Sequence, residues 1–283
     1  MKKTIEYLLN KKKAGKPITM LTAYDYPTAK LEDEAGVDVV LIGDSVGTNV
    51  LGYSSEKEVT LADMAHHTRA VFRGVQSAYI ITDLPYGTAE EPFAAYENAA
   101  FLIEQGADCV KIEGWKEKKS VIANIVSKGI AVCGHIGYNP QTHGSKASVF
   151  GKTSTEALDL IESAKALENA GAVMIVVEKV PQEVTSLIDR GVKIPVIGIG
   201  SGKTDGQVLV VNDILGLAPK VFKHAHKYAD VVVPAQQAIA SYCRDVEAGV
   251  FPFEKNIVHC ESEEYEKLKK TTERMIIPTN FFR

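Results

Sequence analysis

Short apolar runs recur along the chain with amphipathic stretches between them. Ile18–Ala23, Val37–Ile42, Tyr79–Thr82, Cys109–Ile112, Ile130–Cys133, Val173–Val177 and Pro195–Ile199 are each too short for a typical helix and too continuous for a strand with one wet face. They read as strands buried on both sides, the mark of a parallel sheet covered by helices. The stretches between them carry helix signals. Asp25 is placed to cap a helix with Pro27 in its first turn. Thr60-Leu-Ala-Asp63 is a capping-box pattern that opens a helix to about Arg73. Thr88-Ala-Glu-Glu91 and Pro92 open another to about Glu104, which Gly106 stops. Ser120–Ser127 and Gln182–Arg190 are helical, and Thr153-Ser-Thr-Glu156 opens a helix to about Asn169. Ahead of the first strand, MKKTIEYLLNKKKAGK reads as a short amphipathic helix with Thr4 as its N-cap.

The eighth strand is either Val208–Val211 or Val231–Val233, and Ala235–Ala248 is helical in both cases. Repeated βα units over this length predict a (β/α)8 TIM barrel with an N-terminal helix. A doubly wound open sheet is the alternative. No linker interrupts the chain, so residues 1–283 are expected as one domain. Hydrophobic content of 45% and charged content of 24% are those of a globular protein with a full core. The net charge of −4 argues against a nucleic-acid groove or a membrane surface. No apolar run is long enough to span a bilayer, and Tyr7–Leu9 is too short for a signal-peptide core. Cys109, Cys133, Cys243 and Cys260 form no CxxC pair, and the first two fall in apolar runs; a cytoplasmic protein without disulfides is expected.

In a parallel barrel the carboxyl ends of all strands open on one face. That rim collects Asp44 and Ser45, Asp83, Lys111 and Glu113, His135 and Glu178. A strand-end carboxylate commonly caps the next helix, but loops separate Asp44 and Asp83 from theirs. Asp44, Asp83 and Glu113 come from consecutive strands, about 4.8 Å apart, so they can reach one ion. An all-carboxylate set suits Mg²⁺; zinc would want nitrogen or sulfur. Lys111, between Val110 and Ile112, either pairs with the rim carboxylates or forms a structural ion pair. His135 is either a site residue or a satisfied core histidine. Glu178, on a strand apart from the metal set, is free to act as a base. The set suits metal-assisted enolate chemistry on a small 2-oxo acid. Other signals carry less. Gly202-Lys203-Thr204 fails as a P-loop because Ile197 stands where the first glycine belongs. His66-His67 and His224-Ala-His226 read as solvated segments, and Glu261–Glu266 as an exposed charged helix.

At these residues the chain resembles the 3-methyl-2-oxobutanoate (ketopantoate) hydroxymethyltransferases of the phosphoenolpyruvate mutase/isocitrate lyase superfamily. The matching segments are TAYDYPTAKL, VVLIGDSVG, VTLADMAHHTRAV, DLPYGT, CVKIEG, VCGHIGYNPQ, IPVIGIGSG, TDGQVLVVND and VEAGVFP. The resemblance implies a (β/α)8 barrel, a cytoplasmic homodecamer and small-molecule substrates, with no nucleic acid or membrane partner. It implies transfer of a hydroxymethyl group from the co-substrate 5,10-methylenetetrahydrofolate to 3-methyl-2-oxobutanoate, giving 2-dehydropantoate for pantothenate biosynthesis. By motif match Asp44, Asp83 and Glu113 would hold Mg²⁺. Asp44, Ser45, Asp83, Lys111 and His135 would line the oxo-acid pocket, with Glu178 as proton acceptor. The resemblance favours Val208–Asn212 as strand eight. Another Mg²⁺-dependent C–C or P–C bond enzyme on a 2-oxo acid is the second reading, and a non-catalytic barrel the third. The chain departs from the family pattern at THGSKASVFGKT after Asn139-Pro-Gln, at Ser201 where alanine is usual, at Lys179, and in the divergent tail from about residue 254.

Overall fold

Eight parallel strands close into a barrel in sequence order, β1 pairing with β8. The computed structural model describes residues 1–143, 148–218 and 222–272. The strands are β1 (Ile18–Thr22), β2 (Val39–Ile42), β3 (Tyr79–Asp83), β4 (Cys109–Glu113), β5 (Val132–Gly137), β6 (Met174–Glu178), β7 (Val196–Ile199) and β8 (Gly206–Leu209). The helices around them are α1 (Ile5–Lys13), α2 (Tyr26–Glu34), α3 (Leu61–Gly74), α4 (Pro92–Glu104), α5 (Lys119–Ser127), α6 (Pro140–His143), α7 (Ser154–Asn169), α8 (Gln182–Gly191) and α9 (Val211–Leu215). The barrel form is the one the run-and-helix pattern predicts.

Strand alternation divides the core in two. Met20, Val39, Leu41, Ile81, Cys133 and Ile197 fill the barrel interior, where Leu8 of α1 joins them. Their neighbours Val40, Ile42, Ile80, Val110 and Ile112 face outward and pack beneath the helices with Leu102, Ile122 and Leu167. The amino end of the barrel is closed by α1. Its polar side is tied down by Asp38, whose carboxylate accepts from Tyr7 Oη at 2.9 Å, Lys11 Nζ at 2.5 Å and Thr19 N at 2.9 Å.

Helix starts follow the sequence signals closely. Thr4, Asp25, Thr60 and Thr153 each accept a first-turn amide hydrogen bond, and Thr60 and Thr153 complete capping boxes with Asp63 and Glu156. Thr88 is the exception. Its hydroxyl donates to Pro85 O at 2.7 Å, and Glu91 takes the N-cap position of α4 without a side-chain bond. Strand ends shift more. β5 runs past the expected Cys133 to Gly137, so His135 lies within the strand, and Asp83, Glu113 and Glu178 are the last residues of theirs. β8 starts at Gly206, earlier than the pattern of valines suggests. A Cβ at Gly206 would stand 2.5 Å from Ile18 O, so glycine lets β8 approach β1 and close the barrel.

The barrel unit spans Met1–Asp230, and a second compact unit begins at Val231. Val232 and Val233 belong to the second unit's α10 (Val232–Glu247), not to a strand, which settles the choice between the two candidates for strand eight. This unit also carries α11 (Ser262–Thr272), an exposed charged helix in which Lys267 and Lys269 pair with Glu264 and Glu266. The rest of the divergent tail, 273–283, and residues 144–147 of the departing loop lie outside the described residues.

Candidate active site

The carboxyl ends of β2 to β6 open on one cavity of about 480 Å³. Asp44, Ser45, Asp83, Lys111, Glu113, His135 and Glu178 all line it. Two features of the sequence put them there. Lys111 and Glu113 are two apart on β4 and share its inward face. The parallel register then sets Asp83 beside Lys111 and Glu113 beside His135. A Cβ at Gly137, at φ +93°, would run into the Glu178 carbonyl, so glycine there lets β5 and β6 approach at the rim.

Lys111 is the central cation and is 4% exposed. Its Nζ lies 3.2 Å from Asp83 Oδ2, 3.9 Å from Glu113 Oε1 and 3.4 Å from His135 Nδ1. Asp83 Oδ2 also accepts the Asp44 backbone amide at 3.0 Å, while Asp83 Oδ1 is buried without a hydrogen-bond partner. The imidazole of His135 sits between two acids, with Nδ1 3.3 Å from Glu113 Oε1 and Nε2 3.4 Å from Glu178 Oε2. The second distance is ion-pair range, but Nε2 makes no well-aligned hydrogen bond. The far oxygen of Glu178 is 3.7 Å from Lys179 Nζ.

Burial and crowding decide the protonation of this set. Burial pushes the Asp44 carboxyl well above its ordinary range, and the charges of Asp83 and Glu113 push it further. Burial raises Asp83 as well, against the pull of Lys111. For Glu113 the burial penalty is overcome by His135 and Lys111, and its pKa falls below the usual value. Burial works against the Lys111 ammonium, yet Asp83, Glu113 and Asp44 outweigh it and hold the group charged. For His135, burial and Lys111 act downward, Glu113 and Glu178 act upward, and the result is about 8. The rim therefore holds more carboxylate than cation, with one acid-linked imidazole between its two halves.

Lys111 and His135 both face the cavity, and each is paired with rim acids. The structure adds residues the sequence reading passed over. Tyr24 Oη is 2.9 Å from Ser45 Oγ and fixes that hydroxyl. Gln141 reaches over the rim from α6. His224, expected in a solvated segment, is half-buried and lines the cavity, where burial lowers its pKa. Lys179, a departure from the family pattern, has φ +51°, the one positive value outside glycine among the described residues, and its Nζ stands 3.8 Å from the Tyr138 ring centre. Ser201, another departure, donates to Val177 O at 2.9 Å and accepts from Val180 N at 3.0 Å, bracing the β6 end that carries Glu178. Apart from Lys179 beside Glu178, these partners are far apart in sequence, so periodicity could not single them out; Tyr24 and Gln141 stand within the family motifs without a role there.

Known proteins resemble the chain at two levels. A family model, that of ketopantoate hydroxymethyltransferase, matches residues 2–254. A 3-methyl-2-oxobutanoate hydroxymethyltransferase of Dehalococcoides mccartyi (strain CBDB1) is 45% identical over 95% of this chain and 99% of its own length. One from Ignicoccus hospitalis is 47% identical over 90% of this chain and 98% of its own. Among solved structures, 2,3-dimethylmalate lyase, a member of the PEP mutase/isocitrate lyase superfamily, matches with TM-score 0.59 at 15% identity, covering 96% of this chain and 100% of that one. Phosphonopyruvate hydrolase in complex with oxalate and Mg²⁺ matches with TM-score 0.59 at 14% identity, over the full length of both chains. At such identity the structures speak for the fold alone.

Proposed function

The chain belongs to the ketopantoate hydroxymethyltransferase family and has its hydroxymethyltransferase activity, and from that premise we propose how the rim residues perform it. In this reading 3-methyl-2-oxobutanoate binds among Asp44, Ser45, Asp83, Lys111 and His135. Mg²⁺ is held by Asp44, Asp83 and Glu113, Glu178 takes the proton from C3, and 5,10-methylenetetrahydrofolate donates the one-carbon unit. The observation that carries the reading is the single cavity onto which all seven residues open.

The donor set fits magnesium. It is all oxygen, it is buried, and it is short of positive charge, as the raised Asp44 and Asp83 carboxyls record. Asp83 Oδ1, buried and unpartnered, is an oxygen in want of a ligand. Among the described residues no three His, Cys, Asp or Glu side chains are already gathered tightly enough to enclose an ion. Asp44, Asp83 and Glu113 would therefore have to draw together to hold one ion. Bound there, Mg²⁺ supplies Lewis-acid polarisation of the oxo acid's carboxylate and keto oxygens, which lowers the cost of removing a proton from the neighbouring carbon.

The chain's own residues do the rest. The Lys111 ammonium and the Ser45 hydroxyl face the same oxygens and favour the charge that builds on them. Tyr24 holds Ser45 in place. Glu178 receives the C3 proton, and His135, 3.4 Å behind it, steadies the carboxylate before transfer. Tyr138 and His224 also line the cavity and are the candidates to meet the folate donor. We propose a cytoplasmic homodecamer on the family resemblance alone; no helix among the described residues is long and apolar enough to cross a membrane.

The test is proton exchange at C3 of 3-methyl-2-oxobutanoate, followed by NMR in D₂O with Mg²⁺ and no folate. Exchange is expected, and Glu178→Gln abolishes it while metal binding survives. No exchange in the unmodified enzyme refutes the proton-abstraction step; lost metal binding in Glu178→Gln makes that residue a ligand instead. Exchange without product on adding methylenetetrahydrofolate removes the folate donor from the reading.

A further inference from the structure

The rim carboxylates come from separate strands, yet one residue outside the barrel touches two of them. Gln141 lies on α6, in the loop that follows β5. Its side-chain Nε2 donates to Asp44 Oδ2 at 2.7 Å and to Leu84 O at 3.1 Å. Its backbone amide donates to Glu113 Oε2 at 3.0 Å. One residue thus spans the carboxyl ends of β2, β3 and β4. It uses Asp44 Oδ2 and Glu113 Oε2, while Glu113 Oε1 stands 3.9 Å from Lys111 Nζ and 3.3 Å from His135 Nδ1. The amide bond also counters the tendency of these crowded acids to swing apart.

We propose that Gln141 is a positioning residue for the cation site: it fixes the rotamers of Asp44 and Glu113 so that the two carboxylates are presented to a common ion. The proposal rests on the magnesium reading above. Groups that hydrogen-bond to metal ligands orient them, and losing one commonly costs 10–100-fold in metal affinity. Gln141 is neutral, so it adds order without adding charge.

The test uses Mn²⁺ alone as the probe, without substrate or folate. Free Mn²⁺ is followed by EPR in titrations of the full chain, Gln141→Ala and Gln141→Met. The methionine variant keeps the length and the backbone amide but not the side-chain donor. Both variants are expected to bind Mn²⁺ about 10–100-fold more weakly, with the thermal midpoint of the metal-free protein close to that of the parent. A merely structural role would move that midpoint and leave the affinity of the folded protein alone. Equal or tighter binding in both variants overturns the proposal, and tighter binding would mean that the Gln141 amide competes for the ion's place. If the parent itself binds no Mn²⁺, the magnesium reading falls and the proposal with it. If the parent binds and exchanges C3 protons while the variants match it, only the role of Gln141 is refuted.

Discussion

Asp38 offers the sharpest test of how the barrel is held shut at the end away from the chemistry. Its side chain is 4% exposed and accepts from Tyr7, Lys11, Thr19 N and Thr19 Oγ1 at 2.9, 2.5, 2.9 and 3.1 Å, with Lys3 Nζ at 3.5 Å. Asp38→Ala strips all of these from α1 and β1 at once. Removing one partner of a buried pair costs about 3–5 kcal/mol when the other charge stays buried. Here the side chains of Lys3 and Lys11 are 14% and 19% exposed and can regain water, so the expected loss is the smaller figure of about 2–3 kcal/mol. For a unit of some 230 residues, at about 2.1 cal/mol/K per residue, the unfolding entropy is about 0.5 kcal/mol/K, which turns that loss into roughly 4–6 °C. Tyr7 and Thr19 use different oxygens of Asp38, so Asp38→Asn keeps an acceptor for only one of them and should lose somewhat less than Asp38→Ala.

The pH dependence fixes the sign. Burial pushes the Asp38 carboxyl upward, but the Lys11 ammonium, the Thr19 amide and the Tyr7 hydroxyl outweigh it and hold the pKa below the ordinary value. Its contribution is therefore present above the unfolded pKa of about 3.9 and is lost as pH falls through the lower folded value. The stability gap between the parent and Asp38→Asn, read by urea unfolding followed by circular dichroism, should be constant at neutral pH and close below about pH 4. Proton exchange at C3 at 25 °C should be unchanged, since the rim lies at the other end of the strands. A melting point within 1 °C of the parent for Asp38→Ala, or a gap that persists in acid, would refute this account of the α1 anchor.

Three further outcomes follow from the site. Lys111→Met removes the one ammonium paired with Asp83 and Glu113 and should lower kcat/KM by about 10³-fold; a loss under tenfold would mean that Lys111 is only a structural partner. In the metal-free protein His135, raised to about 8, gives up to about 2 kcal/mol that is fully present below pH 6.5 and lost as pH rises through 8, so the stability advantage of the parent over His135→Gln should shrink across that window in urea titrations. Ser201→Ala strands the Val180 amide and should cost about 1–2 kcal/mol in the same assay, with a smaller loss showing that water replaces the hydroxyl.

The sequence by itself determined a parallel sheet and its direction, with closure into a barrel left against an open sheet. Apolar runs such as VVLI and CVKI, bounded by helix signals, read as strands covered on both faces, and parallel strands bring Asp44, Asp83, Glu113 and Glu178 to one rim wherever they stand in the chain. Capping boxes at Thr60 and Thr153 marked helix starts because their partners lie three residues away. What the tertiary structure decided were contacts between residues far apart in the chain. Asp38 interrupts the apolar run Val37–Ile42 and anchors α1 through Lys11, 27 residues away. His224 looked solvated and lines the cavity. Strand eight could not be chosen from its valines, because closure depends on Gly206 letting β8 approach Ile18. Gln141 and Asp44 are 97 residues apart and meet through one 2.7 Å bond. Periodicity records which face a residue turns to the core; only the closed sheet decides which residue it meets there.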